Sequence, residues 1–257
     1  MAFAPAEKDF RPSPNGHVDL NPPSRQRSLW YEIIPVDPAW LLPFHPVYRG
    51  EGIARGDGSP VMFVPGLSGS DGHMEEMHNW AIRIGYMAVR SGIIWNRDPW
   101  RHMEGMVSRL EKAVLETGQK ATVAGWSLGG IYAEVVGIFR PDLVHTIITM
   151  GTDTRTNIRK DAHPAIRAFG TALIEVDKFS EEMLDALPGM PIPEGVKMYC
   201  IYGSADGAFH KEDFGDPRAT ENIEVSSKHG TYPWNPFVYE HVGRILAKGA
   251  RNGHSTS

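Results

Sequence analysis

The stretch Val123-Ala124-Gly125-Trp126-Ser127-Leu128-Gly129-Gly130 decides the reading of the whole chain. It sets a serine between two glycines, G-x-S-x-G, directly after a short apolar run of strand type and directly before an apolar stretch with helical spacing. A serine on such a strand-to-helix turn stands above the end of a sheet with its hydroxyl presented. Glycine on either side lets neighbouring backbone approach closely. The five residues alone are a weak signal, since a chain with 27 glycines meets the pattern by chance at an appreciable rate. The flanking strand and helix carry the reading and make Ser127 the candidate nucleophile.

Outward from this turn, short apolar runs alternate with amphipathic stretches, the rhythm of βα units on a parallel sheet. The spacing predicts strands at 61–64, 86–89, 121–124, 146–150, 197–202 and 223–225. Helices are predicted at 75–84, 100–117, 128–139 and 236–248. Residues 153–194 break the rhythm with two helical patterns, 165–175 and 180–187, and read as a small helical cap insertion. The first 23 residues carry Pro5, Pro12, Pro14, Pro22 and Pro23 and read as an extension without regular structure. A domain over 24–249 follows, with a frayed polar tail at 250–257. Between 29 and 48, large apolar residues broken by prolines suggest short helical pieces packed on the core.

The 257 residues suffice for one substantial domain. With 26 basic and 31 acidic residues the net charge is -5, which offers no attraction to a phosphate backbone, so nucleic acid is not expected as a partner. No stretch approaches the length of apolar residues that a membrane helix needs, and no signal segment opens the chain, so the expected address is cytoplasmic. The single Cys200 lies in an apolar run and reads as a buried strand residue. His73 and His78 lack metal-ligand spacing and read as pocket wall or surface. No phosphate loop or dinucleotide signature appears, so neither metal nor cofactor is expected.

A serine hydroxyl is a poor nucleophile near neutral pH and needs an adjacent base, itself oriented by an acid. Beyond the strand at 197–202 comes Gly203-Ser204-Ala205-Asp206-Gly207, and beyond 223–225 comes Ser226-Ser227-Lys228-His229-Gly230. Asp206 and His229 therefore each follow a strand end in the order serine, acid, histidine. Asp153 remains a second candidate acid. His210, His241 and His254 are less well placed than His229. An oxyanion needs two N–H donors. Leu128, the residue after Ser127, offers one, and Leu67 in the loop Pro65-Gly66-Leu67-Ser68-Gly69 offers the other, with Gly66, Ser68 and Trp126 expected at the substrate.

These segments, together with Ser70-Asp71, Gly130-Ile131-Tyr132-Ala133, Arg140-Pro141-Asp142-Leu143-Val144 and Asn235-Pro236, resemble the α/β-hydrolase superfamily, and more narrowly its bacterial lipase- and esterase-like members. The likeness spans about 60–246 apart from the insertion, and the turn around Ser127 is its most specific part. The resemblance implies a mostly parallel central sheet flanked by helices, Ser127 as nucleophile, Asp206 as acid and His229 as base. It points to hydrolysis of a carboxylic ester, with thioester, lactone or amide cleavage, acyl transfer, or binding without turnover as alternatives; Phe169, Leu173, Ile174, Met183, Leu184, Leu187 and Met190 of the insertion suggest an apolar cap over a small or medium-sized apolar substrate. The aromatic run Tyr232-Pro233-Trp234 after the histidine and the proline-rich start depart from that pattern.

Overall fold

In the computed structural model, residues 38–97, 101–154, 178–208 and 215–252 are described. The extension at 1–23, the helical pattern at 165–175, His210 and His254 lie outside them. Six strands form one parallel sheet: β1 (Pro60–Val64), β2 (Met87–Arg90), β3 (Ala121–Trp126), β4 (Val144–Met150), β5 (Lys197–Gly203) and β6 (Glu221–Val225), in the order β2-β1-β3-β4-β5-β6. All six expected strands form: five are longer by one or two residues at an end, and the second is shifted by one, from 86–89 to 87–90. Among the described residues five α-helices accompany them: α1 (Glu75–Arg83), α2 (Met103–Thr117), α3 (Leu128–Phe139), α4 (Lys178–Ala186) and α5 (Pro236–Asn252). The last runs three residues past Gly249, into the stretch expected to fray.

The unbroken apolar character of the strands follows from burial on both faces. Along β1, Val61 and Phe63 join one core, with Trp80 of α1 and Tyr239 of α5. Met62 and Val64 join the other, with Leu110 of α2 and Tyr132 of α3. Trp80 and Tyr239 meet edge to face, their centroids 4.9 Å apart. Cys200 is buried on β5, and burial pushes its thiol up to about 12. Of the residues between 38 and 49, which form two short 3-10 helices, Leu42 and Val47 reach the core while Trp40, Leu41 and Phe44 are exposed, so this stretch packs less completely than its composition suggests. Among the described residues no helix is long and apolar enough to cross a membrane, and no group of His, Cys, Asp and Glu could hold a metal ion.

The strand order fixes where a site can form. From β1 the chain moves outward to β2, then crosses back to place β3 on the other side of β1. Loops leaving β1 and β3 therefore diverge at their carboxyl ends and open a crevice at this reversal. The loop at 65–69 and the turn at Ser127 are those two loops.

Behind the crevice, a buried charge network joins distant segments. Arg218 pairs with Glu134 of α3 at 2.6 Å and also with Asp216. Its Nη1 donates to the carbonyls of Leu187 and Met190, at 2.9 and 2.8 Å. Leu184 and Leu187 pack on Ile131 and Val135 of α3. The described end of the expected cap thus docks on the body of the domain, and Phe169, Leu173 and Ile174 of the same insertion lie outside the described residues.

Burial raises the Glu134 carboxyl from 4.5 to about 7, outweighing the pull of Arg218, with Asp216 and Asp153 adding to the rise. The folded protein then holds a proton that the unfolded chain releases, so this group's contribution to stability falls as pH rises from 4.5 to about 7. His145, which burial lowers to about 4, works in the opposite sense over much of that window. E134Q should remove the falling component. Urea unfolding of both proteins across this range should give a difference curve that changes by up to about 3 kcal/mol, whereas parallel curves would contradict the assignment.

Candidate active site

The turn after β3 is held by close backbone contacts that admit only glycine. A Cβ on Gly125 would lie 2.0 Å from the carbonyl oxygen of Gly129, and one on Gly129 would lie 2.3 Å from that of Val64. Ser127 between them has φ 53° and ψ -121°, a left-handed backbone that a side chain rarely adopts. Its N–H donates to Met150 of β4 at 2.8 Å, while its carbonyl accepts from the Thr152 hydroxyl at 2.8 Å and from the Gly130 N–H at 2.9 Å. The strain is thus retained by strand, helix and the loop beyond β4 together. G125A should lower stability by about 3 kcal/mol, read as a reduced urea midpoint at unchanged slope. A variant with wild-type stability would refute the tight packing.

The expected partners converge on this serine. His229 Nε2 lies 3.0 Å from Ser127 Oγ, and His229 Nδ1 lies 2.9 Å from Asp206 Oδ2. Asp206 is buried, and its other oxygen accepts from the Ala208 N–H at 2.9 Å. With Oδ1 held by the backbone, Oδ2 faces the imidazole. An acceptor at Nδ1 selects the tautomer with its proton there, leaving Nε2 as acceptor toward the serine. Asp153, the alternative acid, is buried near Glu134 and raises the carboxyl there. Asp206 is the acid placed on the imidazole of His229.

Two further partners were not read from the sequence. Tyr232, fully buried, donates its hydroxyl to the same Asp206 Oδ2 at 3.0 Å, so the aromatic run after the histidine serves the acid. Its only sequence signal is its place three residues after His229. Trp126 donates its indole N–H to the His229 carbonyl at 2.8 Å, fastening the histidine loop to the serine turn. That N–H is committed to the backbone, so the expected part of Trp126 at the substrate falls to the half-buried ring, which meets Trp234 edge to face. His78 corrects the expectation of pocket wall or surface. It is buried against Phe63, with Nδ1 2.9 Å from the Met74 carbonyl, and burial lowers its pKa.

The loop after β1 passes directly over the serine, since a Cβ on Gly66 would come within 3.2 Å of Ser127 Cβ. The next N–H, that of Leu67, donates to no turn or loop carbonyl among the described residues. Leu128, first in α3, has no helical carbonyl one turn back to receive its own N–H. Ser68 adopts φ 58°, and its hydroxyl is buried without a partner among the described residues. The arrangement can abstract a proton from a hydroxyl and offers two backbone donors beside it.

Neither family models nor curated proteins match the sequence. Solved structures do. A lipase of Bacillus licheniformis in its mature form is 19% identical, with a TM-score of 0.57 over 77% of this chain and 96% of that one. The alpha/beta hydrolase domain-containing protein 10 from mouse is 14% identical, with a TM-score of 0.54 over 76% of this chain and 92% of that one. A methylesterase from Arabidopsis is 13% identical, with a TM-score of 0.51 over 74% of this chain and 99% of that one.

Proposed function

We propose that this chain, which has the α/β-hydrolase fold, is a serine hydrolase that cleaves carboxylic esters of small or medium-sized apolar molecules through an acyl-enzyme. One observation carries the reading: an unbroken relay from Ser127 Oγ through His229 to buried Asp206, with links of 3.0 and 2.9 Å, standing at the reversal of the sheet. The lipases and esterases among the structural neighbours are compatible with it.

In this reading His229 Nε2 takes the Ser127 proton as Oγ attacks the ester carbonyl. The imidazolium is stabilised and held in plane by Asp206, whose charge is spread by Tyr232. Negative charge grows on the carbonyl oxygen and is met by the N–H groups of Leu67 and Leu128, preorganised by loop and helix. The imidazolium returns the proton to the leaving alcohol, and water, activated by the same base, releases the acid. Dipoles fixed before reaction cost no reorganisation at the transition state, which is why the held conformations of Gly66 and Ser127 matter to rate.

The apolar preference rests on the surroundings. Trp126 and Trp234 flank the histidine loop, and Ile94 and Trp95 stand exposed on the loop after β2, which hydrogen-bonds to the 68–71 segment. A panel of p-nitrophenyl esters graded by acyl length, run beside matched thioesters and anilides, tests the assignment. Hydrolysis of esters well above thioesters and anilides is expected. A purified protein that turns over none of them, or turns over amides faster, would overturn it.

A further inference from the structure

Asn96 follows β2, away from the residues of the relay, yet it is fully buried and makes four hydrogen bonds. Its backbone N–H donates to the Gly69 carbonyl at 2.9 Å, and its carbonyl accepts from the Ser68 N–H at 2.7 Å. Its side-chain Nδ2 donates to the Pro65 carbonyl at 2.8 Å, and its Oδ1 accepts from the Tyr132 hydroxyl at 2.6 Å. The amide orientation is set by its partners: a carbonyl can only accept, so nitrogen faces Pro65 and oxygen is left for the tyrosine. Three of the four bonds therefore grip the loop at 65–69, on both sides of Leu67. The fourth reaches Tyr132, which is buried on α3 one turn after Leu128 and on the same face.

The two N–H groups assigned to the oxyanion thus belong to segments that Asn96 ties together. We infer that Asn96 and Tyr132 form a bridge that sets the spacing between the Leu67 and Leu128 N–H donors, so that Asn96 is a positioning residue for the oxyanion site. The inference rests on the proposed hydrolase reading. The Ser68 N–H bond to Asn96 also holds the loop where Ser68 takes its positive φ, turning the chain immediately after Leu67. Asp71 adds a second tie between the same two loops. Its carboxylate accepts from the Ser91 N–H and hydroxyl and from the Gly92 N–H, and its own N–H donates to the Ile93 carbonyl at 2.8 Å. The loop after β2 is therefore a splint along the loop after β1. Asn96 is the point where the splint also touches α3.

Donors that act only on the developing oxyanion affect the transition state and leave ground-state binding nearly alone. Displacing one of them by a fraction of an ångström should therefore lower kcat with little change in KM. Y132F deletes one hydroxyl and keeps the ring in the core. N96A removes both side-chain bonds and leaves the two backbone bonds in place. For the ester that the wild type hydrolyses best, we expect kcat to fall about 10-fold in Y132F and about 100-fold in N96A, with KM within about two-fold. Affinity for an alkyl trifluoromethyl ketone, whose serine adduct places an oxyanion between the two donors, should fall in parallel. The double variant should be no slower than N96A, because both changes cut one bridge. Thermal melts accompany every measurement, and should N96A not fold, Y132F carries the test.

Variants that melt earlier but keep kcat and ketone affinity would overturn the bridge and make Asn96 a purely structural residue. A wild type that neither hydrolyses esters nor binds the ketone would instead remove the hydrolase reading, and the bridge with it.

Discussion

S127A should lower kcat/KM for a p-nitrophenyl ester by about 10⁵–10⁶-fold while leaving the fold intact. The structure explains why the two effects separate. The side-chain oxygen meets His229 Nε2 at 3.0 Å, while the contacts that hold the turn, to Met150, Thr152 and Gly130, are made by the backbone of residue 127. Alanine keeps the Cβ and therefore the same backbone strain at φ 53°. Stability should stay within about 1 kcal/mol of wild type. Initial rates and urea melts on the same preparation measure both. Retained hydrolysis in a folded variant would remove Ser127 from the mechanism.

D206N should lower kcat by about 10⁴-fold, also without unfolding. An asparagine at this position keeps its oxygen toward the Ala208 N–H, which can only donate, and so turns its NH₂ toward His229 and Tyr232. That NH₂ donates to His229 Nδ1 and drives the imidazole proton to Nε2, where it faces Ser127 and cannot accept the serine proton. The tyrosine hydroxyl can turn to accept, so the buried group remains satisfied and the fold survives. Rates at several pH values would discriminate. An Nδ1-protonated histidine needs its acid partner across the neutral range, so a D206N variant that regained full activity at any pH between 6 and 8 would contradict this role.

Much of this was legible in the residues because each feature has a local cause. The strands around 61–64 and 146–150 are continuous apolar runs, since both faces are covered, and the structure puts alternate residues of β1 into opposite cores. The turn at Ser127 was legible because glycines occupy the two places where a Cβ would strike backbone. His229 and Asp206 were legible from order alone, each just beyond a strand end. Asp153 also follows a strand, and the preference for Asp206 comes from its tight loop between Ser204 and Gly207, the loop that reaches the imidazole.

What stayed hidden was made by contacts between distant segments. Asn96 sits in a loop with no motif, and its side-chain bonds go to residues 31 and 36 positions away. Tyr232 departs from the expected sequence pattern, and its use, a hydroxyl delivered to a carboxylate 26 residues earlier, depends on tertiary packing. The same holds for Arg218, which pairs with Glu134 across 84 residues and pins the segment at 187–190. Trp126, expected at the substrate from its position in the motif, also fastens the histidine loop through its indole N–H, 103 residues on in sequence.

The serine turn, the histidine loop and the acid are each held from behind: by Thr152 and Met150, by Trp126, and by Ala208 and Tyr232. Such support leaves the reacting groups little freedom before substrate arrives, which is the physical content of preorganisation.

Ser127 is proposed as a nucleophile activated by His229. Reaction with a fluorophosphonate, followed by peptide mass spectrometry, tests it most directly, because the reagent phosphonylates an activated serine and the adduct can be assigned to one residue. One adduct per chain is expected, on the peptide containing Ser127, formed far more slowly in H229A and absent in S127A. A folded protein that stays unmodified, or that carries the adduct on another residue, would contradict it.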